Sequence, residues 1–231
     1  KVISLVLNYI RMWDRLAADR VDEYIANSVF VAKRIKKYYK REASVIYPPV
    51  ETELFKISEK IEDYFLIGGR LAPYKRVDIV IEVFKKLGKK LKIYGDGVDL
   101  ARLKKMAKGY GNIEFLGWVD DAAKAELYSR CLAFIYPQEE DFGITAVEAM
   151  ASGRPVIAYR SGGALETVQA GVTGIFFNEQ TADSLAQAIN NFDKTKFNPE
   201  VIKQQAEQFS VERFKKQIKE FVDKEYENFN K

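Results

Sequence analysis

All 14 glycines of this 231-residue chain lie between Gly68 and Gly174, and residues 1–67 and 175–231 contain none. Glycine permits the sharp turns that join short elements. The chain therefore divides into helical outer parts and a middle of strands and turns. In the middle, short apolar runs recur at 64–68, 91–94, 113–116, 132–136, 155–159 and 174–177, several rich in β-branched or aromatic residues. Helical patterns at 76–87, 98–108, 122–129, 144–151 and 164–170 fill the intervals. Apolar strands alternating with helices predict an α/β fold with a parallel sheet covered on both faces. The simplest such arrangement is an open doubly wound sheet, which binds ligands beyond the carboxyl ends of its strands.

The outer parts are read separately. A helix is predicted around 10–18, an apolar run at 21–26, and a helix at 29–39 with Ser28 as its N-cap. A short strand at 44–47 stops at Pro48-Pro49, and a linker is placed near 48–58. From Ala182 the tail reads as helices, with Pro199 opening one and Ser210 capping the last. Residues 1–7 are apolar, but Asn8, Arg11 and Asp14 follow at once, unlike a signal peptide. The opening on Lys1 rather than Met reads as a fragment or processed form.

Composition removes several chemistries. With no histidine there is no Ser-His-Asp triad, no Cys-His pair and no His-bearing zinc site within this chain. A single cysteine, Cys131, leaves no intramolecular disulfide. The net charge of +4 does not demand a nucleic-acid partner, and none is expected. No apolar run reaches the roughly 18 residues that span a bilayer.

The loops after the strands carry the candidate chemistry. After the first come Gly68-Gly69-Arg70 and Lys75-Arg76. Gly69 lets a ligand approach the backbone, and Arg70 with Lys75 makes an anion clamp for a diphosphate, set against ordinary surface cations. After the second, Gly95-Asp96-Gly97 begins like a dinucleotide fingerprint, but Leu100 stands where the third glycine belongs. A plain turn is the leading reading there. After the third, Trp118 or Val119 would flank a nucleobase, or would simply pack. After the fourth, Glu139, Glu140 and Asp141 are consecutive acids that repel one another unless given a role. Gly143 then precedes a helix whose N-terminus favours phosphate, with Glu148 one turn inside it. After the fifth, Gly162-Gly163 leads to Glu166, an acceptor for a polyol or an ordinary surface acid.

Taken together, these residues resemble the carboxyl-terminal domain of a family 4 (group 1) retaining glycosyltransferase of the GT-B fold. The pieces are Gly69-Arg70 with Lys75-Arg76, Gly95-Asp96-Gly97, the E-x7-E pair Glu140/Glu148, Gly153-Arg154-Pro155, and Gly162-Gly163 with Glu166. Residues 1–50, with Arg11-Met12-Trp13-Asp14 and Ala26-Asn27-Ser28, are similar to the end of that family's amino-terminal domain. The resemblance is greatest to mannosyltransferases of surface-polysaccharide assembly.

The resemblance implies a Rossmann-like nucleotide-sugar domain over 58–231, preceded by a remnant of the other domain and a linker over 1–57. The last helix, about 210–231, would cross back toward the first domain. Arg70 and Lys75 would bind the donor diphosphate, Glu140 the donor-sugar hydroxyls and Glu148 the ribose. Backbone N–H groups of Phe142, Gly143, Ile144 and Thr145 would add contacts to sugar and phosphate. The donor would be GDP-mannose or another nucleotide sugar, the acceptor a glycan or lipid-linked sugar, with no further cofactor. No D-x-D pair occurs in the chain, in line with metal-independent transfer, and no metal site is expected. Retention would arise by front-face attack, with a covalent intermediate through Glu140 as the alternative.

Location follows the same reading: cytoplasmic, with contact at the inner face of the membrane left open. That contact rests on Lys33, Arg34, Lys36, Lys37, Lys40 and Arg41, which are otherwise a solvated helix face. Two other functions compete. One is a nucleotide-sugar-binding module that needs a second domain for catalysis. The other is a nicotinamide oxidoreductase, disfavoured by Leu100. The chain by itself is expected to bind donor with little or no transfer.

Overall fold

A computed structural model describes residues 2–230. Lys1 and Lys231, the outer ends of the two expected regions, lie outside them. The chain begins with α1 (Val2–Ala18), β1 (Ile25–Ala26), α2 (Val29–Tyr39) and β2 (Ser44–Val45). It continues through β3 (Phe65–Gly68), α3 (Val77–Leu87), β4 (Leu91–Tyr94), α4 (Leu100–Met106), β5 (Ile113–Gly117) and α5 (Asp121–Arg130). Then come β6 (Phe134–Tyr136), α6 (Ile144–Ala151), β7 (Val156–Tyr159), α7 (Ala164–Thr167) and β8 (Gly174–Phe177). Three helices close the chain: α8 (Ala182–Asn190), α9 (Pro199–Glu207) and α10 (Val211–Phe229).

Strands β3 to β8 form one six-stranded parallel sheet in the order β5-β4-β3-β6-β7-β8. This is the doubly wound order, and its direction reverses between β3 and β6. Alternate strand residues feed opposite faces. Leu66, Phe134, Tyr136, Val156 and Ala158 pack with Val147 and Met150 of α6 on one side. Phe65, Ile67, Ile93, Ile135 and Ile157 pack with Val80, Phe84 and Leu185 on the other. Both faces are covered, as the apolar strands predict.

The expected elements are present with corrected ends. The helix expected at 10–18 starts at Val2, because the apolar run up to Leu7 joins it across Asn8. The run at 21–26 pairs over only two residues, Ile25 and Ala26, with Ser44 and Val45 of β2. The helix expected at 164–170 ends at Thr167, since Val168 turns extended and Ala170 bridges to Gly174. The Gly97–Asp99 turn delays α4 to Leu100.

The segment expected as a linker is tightly docked. Val50 donates to the Phe209 carbonyl at 2.9 Å, Thr52 Oγ1 donates to Glu207 at 2.7 Å, and Phe55 is buried. The last helix returns to the same segment, with Arg213 donating to the Tyr47 carbonyl at 2.8 Å. By contrast α1 shows most of its apolar side chains to solvent, from Leu7 at 45% to Ile3 at 77% exposed.

Candidate donor site at the strand switch point

The loops after β3 and β6 diverge where the strand order reverses. Between them lies a cleft of about 570 Å³. Lys75 and Tyr74 form one wall, residues 139–145 the other, and Asn27 and Pro48 from the first segment close the rim.

The backbone dictates the local shape. Gly143 has φ +99° and stands over the Tyr136 hydroxyl, so a Cβ there would lie 2.6 Å from that oxygen. Only glycine fits this turn, and it delivers the chain directly into α6. No side chain caps the start of α6, and Gly143, Ile144 and Thr145 at that start line the cleft, which puts the positive end of the helix dipole beside it. Thr145 Oγ1 beside them is buried and has no partner among the described residues. Gly69 is its neighbour across the cleft, with Thr145 Cγ2 4.0 Å from where a Cβ would sit.

The three consecutive acids are separated by three different partners. Glu139 accepts from Ser161 Oγ, and Asp141 accepts from Arg34 of α2 at 2.9 Å. Glu140 is ion-paired with Lys75 and also accepts from Tyr136 Oη at 2.7 Å. Burial, with Glu140 beside it, pushes the Tyr136 phenol far above its usual range, so it stays a donor. Lys75 and Glu140 thus form one half-buried unit rather than two independent binding groups.

The remaining expected residues are placed differently. Arg70 is exposed and does not line the cleft. Glu148 is only 9% exposed, is held by Lys124 and Tyr128 of α5, and lies behind the residues that line the cleft. Trp118 and Val119 lie on the edge-strand side, two strands from the switch point. Trp118 is 78% exposed, and Val119 packs on the core because its side chain is wholly apolar. Neither flanks this cleft.

Glu166 is not a free surface acid. Its two carboxylate oxygens accept from the backbone N–H groups of Val29 at 2.8 Å and Phe30 at 2.9 Å. With Ser28 Oγ accepting from Val31 N at 3.0 Å, it completes the N-terminal cap of α2. The Gly95-Asp96-Gly97 turn is structural. A Cβ on Gly95 would lie 1.9 Å from the Gly69 carbonyl oxygen, and Leu71 N donates to the Asp96 carbonyl at 2.8 Å.

Sequence reasoning missed Tyr136, Tyr74 and Pro48. Tyr136 counted only as an apolar strand residue, although a hydroxyl ending a buried strand four residues before Glu140 was a usable signal. Lys124 and Tyr128, which hold Glu148, had no signal short of the fold.

Residues 50–209 match the family of glycosyl transferases group 1. The uncharacterized glycosyltransferase MJ1178 of Methanocaldococcus jannaschii is 30% identical over 88% of this chain and 60% of its own length. The alpha-1,3/1,6-mannosyltransferase ALG2 of Dictyostelium discoideum is 28% identical over 78% of this chain and 54% of its own. The chain thus spans little more than half the length of these curated relatives. Among solved structures, sucrose-phosphate synthase from Thermosynechococcus elongatus superposes with a TM-score of 0.84 at 20% identity, covering 94% of this chain and 62% of that one. HepE of Anabaena, in complex with UDP and glucose, does so with a TM-score of 0.77 at 26% identity, covering 90% and 64%. These neighbours are glycosyltransferases of the GT-B fold.

Proposed function

The chain belongs to the group 1 glycosyl transferases, and on that premise we propose that its switch-point cleft binds a nucleotide-sugar donor and moves the sugar with retention to a glycan or lipid-linked acceptor. The observation that carries this reading is the Lys75–Glu140 pair facing the uncapped start of α6 and the unpartnered Thr145 hydroxyl. Lys75 binds the donor diphosphate, with Arg70 reaching in from the exposed end of the same loop. Glu140 takes donor-sugar hydroxyls, Glu148 the ribose, and the backbone N–H groups of Phe142 to Thr145 the phosphate and sugar.

The chemistry follows from charge. As the glycosidic bond breaks, the leaving diphosphate gains negative charge. A fixed ammonium and a helix N-terminus aimed at that charge lower the barrier, each charge-assisted hydrogen bond contributing about 1.5–3 kcal/mol. The acceptor oxygen bonds to the anomeric carbon on the face from which the diphosphate leaves, and the departing phosphate oxygen takes the acceptor proton. Glu140, tied to both Lys75 and Tyr136, is a poor nucleophile, which supports front-face attack over a covalent intermediate.

Two donors are in view. The mannosyltransferase ALG2 supports a mannosyl donor, with GDP-mannose the nucleotide sugar to test. HepE, whose structure holds UDP-glucose, supports a uridine donor. The first 57 residues act as part of a second, acceptor-side domain. The two-residue strands β1 and β2 and the exposed apolar side of α1 support that role. Among the described residues no helix is long and apolar enough to cross a membrane. We place the protein in the cytoplasm, with α2 as a candidate peripheral contact. Of the six cations over residues 33–41, Arg34, Lys36 and Arg41 already have protein partners.

Calorimetric titration with UDP-glucose, GDP-mannose and NAD tests the proposal. A nucleotide sugar binds and NAD does not. Arg70→Ala weakens diphosphate ligands and leaves nucleosides unaffected. NAD binding without UDP or GDP binding overturns the transferase reading.

A further inference from the structure

Glu148 is held from α5 through both oxygens. Lys124 Nζ lies 3.0 Å from Oε1, and Tyr128 Oη donates to Oε2 at 3.3 Å. Behind Tyr128, its hydroxyl meets that of Tyr94 at 2.7 Å, at the end of β4. Tyr128 is fully buried and Tyr94 nearly so. The Tyr94 ring fills the space beside Gly68, where a Cβ would come within 2.3 Å of it. Strand β4, helix α5 and helix α6 are thus joined by one hydrogen-bonded chain that ends on a carboxylate.

A carboxylate in this position has two possible states. Burial pushes the Glu148 carboxyl above its ordinary range, and Asp121 adds to that push. Lys124 and Tyr128 pull it back. Lys124 itself is opposed by burial but lifted overall by Glu148 and Asp121, which lies 3.0 Å from its Nζ. The distinction matters for a vicinal diol. An ionised carboxylate accepts from both hydroxyls, whereas a neutral acid must use one oxygen as a donor.

We propose that Lys124 is a positioning residue, which with Tyr128 keeps Glu148 ionised and oriented to accept the two ribose hydroxyls of the donor. This rests on the donor-binding reading above. Lys124 touches no ligand and acts through Glu148. Its ammonium also lies over the Phe55 ring, with Nζ 5.7 Å from the ring centroid.

The test compares Lys124→Met, Lys124→Arg, Tyr128→Phe and Glu148→Gln in the full 231-residue chain. Affinity for UDP, GDP and inorganic pyrophosphate is measured by calorimetry from mildly acidic to mildly alkaline pH. The Glu148 carboxyl is followed by carbon-13 NMR, assigned through its loss in Glu148→Gln. Since ribose acceptance is complete above the folded pKa and fades as pH falls through it, removing Lys124 moves that loss to higher pH. Lys124→Met is expected to raise the carboxyl midpoint by about one unit and weaken UDP and GDP about tenfold on the acidic side. Affinity recovers on the alkaline side, and Lys124→Arg restores the wild-type midpoint. Tyr128→Phe produces a smaller shift in the same direction. Pyrophosphate, which has no ribose, binds every variant alike.

An unshifted carboxyl midpoint in Lys124→Met overturns the proposal, as does an equal loss for pyrophosphate and nucleotides at every pH. If Glu148→Gln binds UDP and GDP like the wild type, the ribose reading fails instead, and the NMR midpoint still reports whether Lys124 governs the carboxylate.

Discussion

The two flanks of the strand switch point use glycine alike and to different ends. On one flank, the loops after β3 and β4 press backbone to backbone: Gly95 and Gly97 leave no room for a Cβ against the Gly69 and Leu71 carbonyls. On the other, Gly162 and Gly163 press just as closely on the backbone of Glu140 and Phe142. The first contact closes a turn, and its polar backbone groups satisfy each other. The second braces a loop whose acids and uncapped helix point into the cleft. A close glycine contact therefore marks a rigid loop, and the neighbouring side chains decide whether that rigidity serves packing or binding.

Substitution at the two glycines is the strongest way to break the comparison. Gly95→Ala and Gly163→Ala are each expected to lower stability by about 2–4 kcal/mol in urea unfolding, because a backbone must move in each case. Only Gly163→Ala should also reduce nucleotide affinity per folded molecule. Loss of affinity in Gly95→Ala as well would make the β3–β4 flank part of the site.

Lys75→Ala leaves Glu140 half-buried with only Tyr136 as partner. It should weaken UDP by about 1.5–3 kcal/mol, read by calorimetry, with little change in unfolding midpoint. Trp118→Ala sharpens the boundary of the binding flank. Being exposed and off the cleft, it should change nucleotide affinity by no more than about twofold, under 0.5 kcal/mol. A tenfold loss would extend the site to the β5 edge. Arg34→Ala is read in stability rather than affinity. Its exposed pair with Asp141 should be worth at most about 1 kcal/mol of stability, and less as salt rises.

The buried core behind both flanks reports separately through its thiol. Cys131 is fully buried, and desolvation pushes its pKa up to about 12. It should resist alkylation near neutral pH until urea unfolds the chain. Rapid labelling of the native protein would show that the core opens locally.

Much of this protein was determined by its sequence alone. The strand runs and glycine turns set an α/β sheet, because a buried parallel strand must be apolar on both faces. The start of α2 at Ser28 and the span of α6 at Ile144–Ala151 follow from local capping and the Gly143 turn. Gathering Gly69, Lys75, Glu140 and Thr145 at one edge was legible from their place after strands. What only the tertiary structure decided is how each charge is spent. Glu166 meets the α2 N-terminus from 137 residues away, Lys75 is neutralised by Glu140 across the switch point, and Glu148 is turned toward Lys124. Periodicity and capping act over a turn or two of chain. The partner of a carboxylate depends on which distant elements the sheet order brings within 3 Å of it, and no local pattern carries that.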